Sequence, residues 1–138
     1  MRIYLDSNVF ISLMNREIGR GIRGLFIEAE VFFRKVKTEK HTILLSGLFF
    51  AEIEKKIYLD KQEVISQFTT LGVAIELIPN PEQTIRTSDF VKRGLHYPDS
   101  VHAAFARTGN CDCIVTFNKR DFDKINDLIA VFEPSDFF

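Results

Sequence analysis

Short apolar segments alternate with segments of helical periodicity along the chain, and this alternation limits the folds that the sequence can adopt. The predicted strands are apolar runs at residues 3–5, 41–45, 73–78, 113–116 and 128–132. Between them, apolar residues recur with the period of an amphipathic helix. Strands separated by helices favour a parallel sheet with helices on both faces. We therefore predict one α/β domain over residues 1–138, with a parallel sheet of four or five strands.

The helices are predicted from the same periodicity and from residues that begin or end helices. A short helix should start near Val9, with Ser7 or Asn8 as its cap. Gly72 and Gly109 are predicted to end two of the later helices. The remaining predicted helical segments are 22–36, 46–57, 64–71, 82–95 and 98–107.

Length and charge restrict the classes of function. A chain of 138 residues can bury a hydrophobic core. It has no apolar run of the roughly 18 residues that a membrane span needs, and its first residues lack the apolar stretch of a signal peptide. We therefore expect a cytoplasmic protein. The formal net charge is −1, so any binding to nucleic acid must depend on local basic patches or on metal ions.

Two cysteines, Cys111 and Cys113, are the only ones in the sequence. A structural zinc site usually needs four ligands, and no second cysteine pair is present. Alternate strand positions are also poorly placed for a disulfide between them. We interpret both as small apolar residues at the start of a strand.

Four carboxylates follow predicted strands or lie in helices next to them. Asp6 ends the first strand, Glu52 lies in the helix after the second, Asp99 lies in the first turn of a helix, and Asp121 follows the fourth strand. Open parallel sheets place their sites at the carboxyl ends of the strands, so these side chains are expected to converge. Taken singly, each acid is also explained as a turn former, a helix-dipole partner or a solvated surface group.

Converging carboxylates repel one another unless a proton or a cation lies between them. An oxygen-rich site of this kind suits Mg²⁺ or Mn²⁺. His102 lies one helical turn after Asp99. Because hard cations prefer oxygen ligands, we expect His102 to pack or to form hydrogen bonds and not to bind the ion.

Four segments of the chain, taken in order, resemble the PIN-domain nucleases, in particular the toxin ribonucleases of VapC type. The segments are Leu5-Asp6-Ser7-Asn8-Val9-Phe10-Ile11, Ala51-Glu52-Ile53, Pro98-Asp99-Ser100-Val101-His102-Ala103-Ala104-Phe105-Ala106 and Thr116-Phe117-Asn118-Lys119-Arg120-Asp121-Phe122. The resemblance implies an endoribonuclease that depends on Mg²⁺ or Mn²⁺.

The resemblance also implies roles for individual residues. It maps three metal-binding acids onto Asp6, Glu52 and Asp99. The last motif of the family commonly has an acid at the position of Asn118, so here the fourth acid is predicted to be Asp121. Supporting polar roles fall to Asn8, Thr116 and Asn118.

Partners follow from the same resemblance. RNA is the expected substrate, and a small antitoxin protein and a second copy of the chain are expected binding partners. The Phe-rich segment from Gly21 to Lys37 is a candidate surface for such a partner, although its helical periodicity favours core burial. Basic residues that could contact RNA are Arg16, Arg20, Arg23, Lys55, Lys56, Lys119 and Arg120.

Two other functions remain open from the sequence. An aspartate-nucleophile phosphohydrolase would use Asp6, but Asn8 stands where a second acid is usual, and no lysine partner is evident. A catalytically weak module that binds RNA or protein on the same fold is the other alternative, because Asn118 removes one charge from the last motif.

Overall fold

A five-stranded parallel sheet forms the centre of the protein. The structure is a computed structural model that describes residues 1–16, 24–80 and 87–138. The sheet has the order β3-β2-β1-β4-β5 and every neighbouring pair is parallel. This confirms the predicted α/β fold and its parallel sheet. The strands are β1 Arg2–Leu5, β2 Thr42–Leu45, β3 Ala74–Leu77, β4 Cys113–Val115 and β5 Ala130–Phe132.

Helices connect the strands within the described residues. They are α1 Ser7–Asn15, α2 Leu25–Thr38, α3 Gly47–Ile57, α4 Lys61–Leu71, α5 Thr87–Lys92, α6 Tyr97–Thr108 and α7 Lys119–Phe122. The predicted beginnings of two helices, at residues 22 and 82, lie outside the described residues. Helix α7 was not predicted, because a helix of four residues shows too little periodicity to detect. Short 3₁₀ helices follow at Asp123–Ile125 and Pro134–Phe137.

Helix ends follow the local chemistry of the sequence. The Ser46 hydroxyl accepts a hydrogen bond from the Phe49 N–H at the start of α3, 3.0 Å away. Gly72 ends α4 with φ of 72°, a left-handed conformation that glycine adopts at low cost. The predicted cap of α1 is wrong: Asp6 occupies the N-cap position, and Ser7 lies inside the helix. The Asp6 side chain makes no capping bond, which leaves its carboxylate available for other contacts.

Each side of the sheet is covered by a separate hydrophobic core. Alternate residues of β1 point to opposite faces. Ile3 and Leu5 belong to a cluster with α1 to α4, whereas Tyr4 belongs to a cluster with α5, α6 and α7. Phe32 and Phe33 of α2 are buried in the first cluster, so core burial is confirmed for this part of the Phe-rich segment.

Cys113 begins β4, as interpreted from the sequence, whereas Cys111 precedes the strand. Cys113 is buried, Cys111 is half-buried, and neither forms a disulfide. Burial raises the pKa of each thiol to about 12.

Among residues 1–16, 24–80 and 87–138, no helix combines the length and the apolar character that crossing a membrane requires.

Candidate functional site

Asp6 lies at the carboxyl end of the central strand. Its N–H continues the sheet by donating to the carbonyl of Val115, 3.0 Å away. The side chain is buried, and the Thr116 hydroxyl donates to its Oδ2 at 2.8 Å. Asp6 is therefore held where β1, α1 and the end of β4 meet.

Glu52 reaches the same place from α3. His102 Nε2 lies 2.9 Å from Glu52 Oε1, and the Ser7 hydroxyl donates to that oxygen, also at 2.9 Å. His102 Nε2 is also 3.8 Å from Asp6 Oδ1. One potential ligand atom each from Asp6, Glu52 and His102 lies within 4.8 Å of the others. As expected from the sequence, His102 forms hydrogen bonds.

The charges of Glu52 and His102 stabilise each other. Burial opposes ionisation of Glu52, but the hydrogen bond and charge of His102, together with the Ser7 hydrogen bond and the charge of Lys56, lower the pKa of Glu52. Burial also opposes protonation of His102, but the hydrogen bond that His102 donates to Glu52 and the charges of Asp6, Glu52 and Asp99 raise the pKa of His102. The imidazole thus compensates part of the negative charge of the site.

Asp99 is close enough to Asp6 and Asp121 to be affected by their charges. Partial burial raises the pKa of Asp99, and the charges of Asp6 and Asp121 raise it further. Asp121 is exposed in α7 and Asp99 is half-buried in the first turn of α6. We call Asp6, Glu52, Asp99 and Asp121 the acidic site. Its members come from four separated segments of the chain.

A hydrogen-bond network around Thr116 joins Asp6 to the segment that follows β4. Besides donating to Asp6, its hydroxyl oxygen accepts the Asn8 side-chain N–H at 3.2 Å and the Asn118 backbone N–H at 2.9 Å. Asn8 Oδ1 in turn accepts the Phe117 N–H at 3.3 Å. The amide of Asn8 therefore joins α1 to the end of β4.

The basic residues that could contact RNA differ in their exposure. Arg120 and Arg16 are exposed. Lys119 is half-exposed, and its Nζ lies 3.6 Å from a carboxylate oxygen of Asp136. Arg20 and Arg23 lie outside the described residues.

The family model described as "PIN domain" matches residues 3–128. The chain belongs to the PIN domain family. Members of this family are generally nucleases. No curated protein matches the sequence.

A solved structure with a similar fold is described as a toxin–antitoxin complex from Klebsiella pneumoniae. Its alignment with this PIN domain has a TM-score of 0.56 and covers 96% of this chain and 97% of the other. The two sequences are 20% identical, so this likeness concerns the fold alone.

Sequence reasoning missed three polar residues of this PIN domain. Tyr4 was counted as an apolar strand residue, Ser7 as a cap of α1, and Ser46 only as the start of a helix. A tyrosine within a strand buried on both faces was an available signal, because a buried hydroxyl usually needs a partner.

The Glu52–His102 pair should stabilise the cation-free PIN domain within a limited range of pH. The contribution of Glu52, whose pKa lies below its usual 4.5, is present above that value and is lost as the pH falls through the lowered pKa. The contribution of His102, whose pKa lies above its usual 6.5, is present below that value and is lost as the pH rises through the raised pKa. We therefore expect the parent's advantage in unfolding free energy over His102→Gln to be largest between pH 4.5 and pH 6.5. Denaturant unfolding with a chelator measures it, and a difference independent of pH would contradict the expectation.

Thr116→Val should destabilise the PIN domain by about 1–3 kcal/mol, because valine keeps the shape of threonine but leaves the N–H groups of Asn8 and Asn118 without their acceptor. Thr116→Ser keeps the hydroxyl and serves as the matched variant. Denaturant unfolding of the two proteins measures the difference. Equal stability of the valine and serine variants would show that the network contributes nothing to folding.

Proposed function

We propose that this protein is an endoribonuclease that uses a divalent cation, Mg²⁺ or Mn²⁺, bound at the acidic site. The observation that carries the proposal is the approach of Asp6 and Glu52, which are separated in the chain and share one partner, His102, with ligand atoms within 4.8 Å. The charges of Asp6 and Asp121 also act on Asp99. Four carboxylates at the carboxyl edge of a parallel sheet match the location of sites in open sheets.

The residues of the acidic site fit a divalent cation. Carboxylate oxygens are the ligands that Mg²⁺ and Mn²⁺ prefer. Burial, with the charges of Asp6 and Asp121, raises the pKa of Asp99 and so disfavours its ionised form. A cation would offset this effect, since an opposite charge favours the ionised carboxylate.

We assign distinct parts to the four acids. Asp6 and Asp99 are the principal ligands, and Glu52 holds the cation directly or through a water molecule. Asp121 completes the acidic site or orients water at its exposed side. When bound, the cation supplies a lowered pKa for coordinated water and polarises a phosphoryl oxygen. Thr116 keeps the Asp6 carboxylate in place through the 2.8 Å hydrogen bond.

RNA binding is proposed to depend on local basic residues, because the chain as a whole has a net charge of −1. Lys119 and Arg120 belong to the same short helix as Asp121, so they are the best placed to contact phosphates beside the acidic site. Arg16 and Arg20 are weaker candidates, proposed from the sequence.

A small antitoxin protein and a second copy of the chain are proposed partners. Support for the antitoxin comes from membership of the PIN family together with the described assembly of the structural neighbour. Purification of the protein from its own cells, with identification of the proteins that co-purify and measurement of the assembly mass, tests both partners.

A module that binds RNA without cleaving it is the second candidate. The observation in its favour is Asn118, which provides an exposed amide where the family commonly has an acid. The aspartate-nucleophile phosphohydrolase receives less support, because Asn8 is engaged with Thr116 and Phe117 and offers no second carboxylate beside Asp6.

Cleavage of RNA by the purified protein separates these candidates. We expect cleavage of single-stranded RNA with Mg²⁺ or Mn²⁺, its loss with a chelator, and its recovery when the cation is restored, because the acids need the cation's charge. A small phosphate ester, supplied under the same conditions, should not be hydrolysed. Binding of RNA without cleavage under any cation would favour the binding module. Hydrolysis of the ester alone would favour the phosphohydrolase.

A further inference from the structure

Tyr4 has a buried hydroxyl that lies between two side chains of the acidic-site region. The residue is fully buried in β1. Its Oη lies 2.9 Å from Ser46 Oγ and 2.5 Å from His102 Nδ1. Ser46 and His102 are buried as well. A phenol can be buried at low cost only when its hydroxyl is hydrogen-bonded. The three residues therefore form a polar chain through an otherwise apolar core.

This series of hydrogen-bonded side chains ends at Glu52. His102 Nδ1 faces Tyr4, and its Nε2 faces Glu52 Oε1 at 2.9 Å. An ionised carboxylate only accepts hydrogen bonds, so Nε2 must carry the hydrogen, whether or not Nδ1 is protonated. We call Ser46, Tyr4, His102 and Glu52 the relay.

The two oxygens of Glu52 differ in their surroundings. Oε1 accepts from His102 and from the Ser7 hydroxyl, each at 2.9 Å. Oε2 takes part in neither of these hydrogen bonds. The relay thus fixes the position of Oε1. Because both oxygens belong to one carboxylate, this also restricts the position of Oε2.

We propose that Tyr4 is a positioning residue that acts through His102: it holds the imidazole so that Nε2–H donates to Glu52 Oε1, and it thereby directs Glu52 Oε2 toward a divalent cation. The part that concerns the cation rests on the proposed function. His102 is then not a ligand, because the nitrogen nearest to the acids carries a hydrogen. Removing a residue that orients a metal ligand in this way typically weakens metal binding by about 10–100-fold.

The alternative role of His102 is that of a third ligand. Its Nε2 lies within 4.8 Å of ligand atoms of Asp6 and Glu52, so distance alone fits either role. The two roles differ in what happens when the imidazole is replaced. Glutamine can donate an N–H to Glu52 but is a poor substitute for an imidazole ligand.

Tyr4→Phe tests the relay, because it removes one hydroxyl and keeps the ring. Tyr58→Phe makes the same chemical change at a side chain that is 84% exposed. Nitrogen-15 NMR of the cation-free proteins follows the His102 Nε2–H signal, and electron paramagnetic resonance follows binding of Mn²⁺. In Tyr4→Phe we expect hydrogen exchange at Nε2 to be at least about tenfold faster and Mn²⁺ binding to be about tenfold weaker. Tyr58→Phe should change neither quantity.

A double-mutant cycle distinguishes positioning from a general effect on the core. His102→Gln should keep Mn²⁺ affinity within about tenfold of the parent, since glutamine can still donate to Glu52. In that background, Tyr4→Phe should weaken Mn²⁺ binding by less than about twofold, because the donor no longer depends on Tyr4. The same loss in both backgrounds would mean that Tyr4 acts only on the core, and would overturn the proposal.

Three further outcomes have clear meanings. Unchanged or tighter Mn²⁺ binding by Tyr4→Phe would overturn the positioning role. Loss of binding by His102→Gln alone would assign His102 as a ligand and would overturn that role as well. If the parent shows the protected Nε2–H but binds no Mn²⁺, the cation of the proposed function is refuted. The effect of Tyr4 on His102 is still established by the NMR measurement in that case.

Discussion

Asp6→Asn is expected to reduce RNA cleavage by roughly a hundred- to a thousandfold, the range typical of losing one charged or polar group that stabilises a transition state. Asparagine has nearly the shape of aspartate and can still accept a hydrogen bond from Thr116, which lies 2.8 Å from the Asp6 carboxylate. The variant therefore removes a charge with little change in packing. Initial rates on a labelled single-stranded RNA with Mn²⁺ measure the effect.

The matched variant for this experiment is Asp89→Asn, which makes the same change at an exposed acid of α5. It should cleave RNA at the parental rate. Circular dichroism and unfolding curves establish that both variants are folded. Full activity of a folded Asp6→Asn protein would remove Asp6 from the mechanism and, with it, the central ligand of the acidic site.

Phe68→Ala is expected to destabilise the protein by about 3–5 kcal/mol, the usual cost of removing a buried phenylalanine ring. Phe68 is fully buried in α4. Its ring centroid lies 5.2 Å from that of Phe10 in α1, 5.8 Å from that of Phe33 in α2 and 6.2 Å from that of Phe49 in α3. The substitution leaves a cavity where four helices meet.

This loss is a large part of the free energy of unfolding of a typical domain, which is about 5–15 kcal/mol. Phe138→Ala, at a side chain that is 57% exposed, should cost less than about 1 kcal/mol. Chemical unfolding followed by fluorescence or circular dichroism measures both. A loss below about 1 kcal/mol for Phe68→Ala would show that the surrounding helices collapse to fill the space.

The fold was largely predictable because strand and helix periods differ along the sequence. The apolar residues of β2 and β4 indicated strands buried on both faces, which the structure confirms for these two strands. The order β3-β2-β1-β4-β5 was not predicted, because periodicity contains no information about which strands are neighbours. Helix α7 escaped notice because of its four residues.

The candidate site was predictable in its acids but not in its internal contacts. Asp6 and Asp99 were recognisable from strand ends, helix starts and the resemblance to the PIN family. The catalytic roles of the acids stay predictions. The bond from Tyr4 to His102 joins two elements that are distant in the chain, and only their arrangement in space shows it. A buried hydroxyl in an apolar strand indicates that a partner exists, but not which residue it is.

The hydrogen bond between Thr116 and Asp6 spans 110 positions of the chain. During synthesis, the first half of the acidic site therefore leaves the ribosome long before the second half is made. A growing chain that ends before β4 has neither Thr116 nor Asp121, so the proposed nuclease has no complete site at that stage. Truncated products of this order should leave RNA intact, and cleavage should begin only after the segment that carries Thr116 and Asp121 has been made.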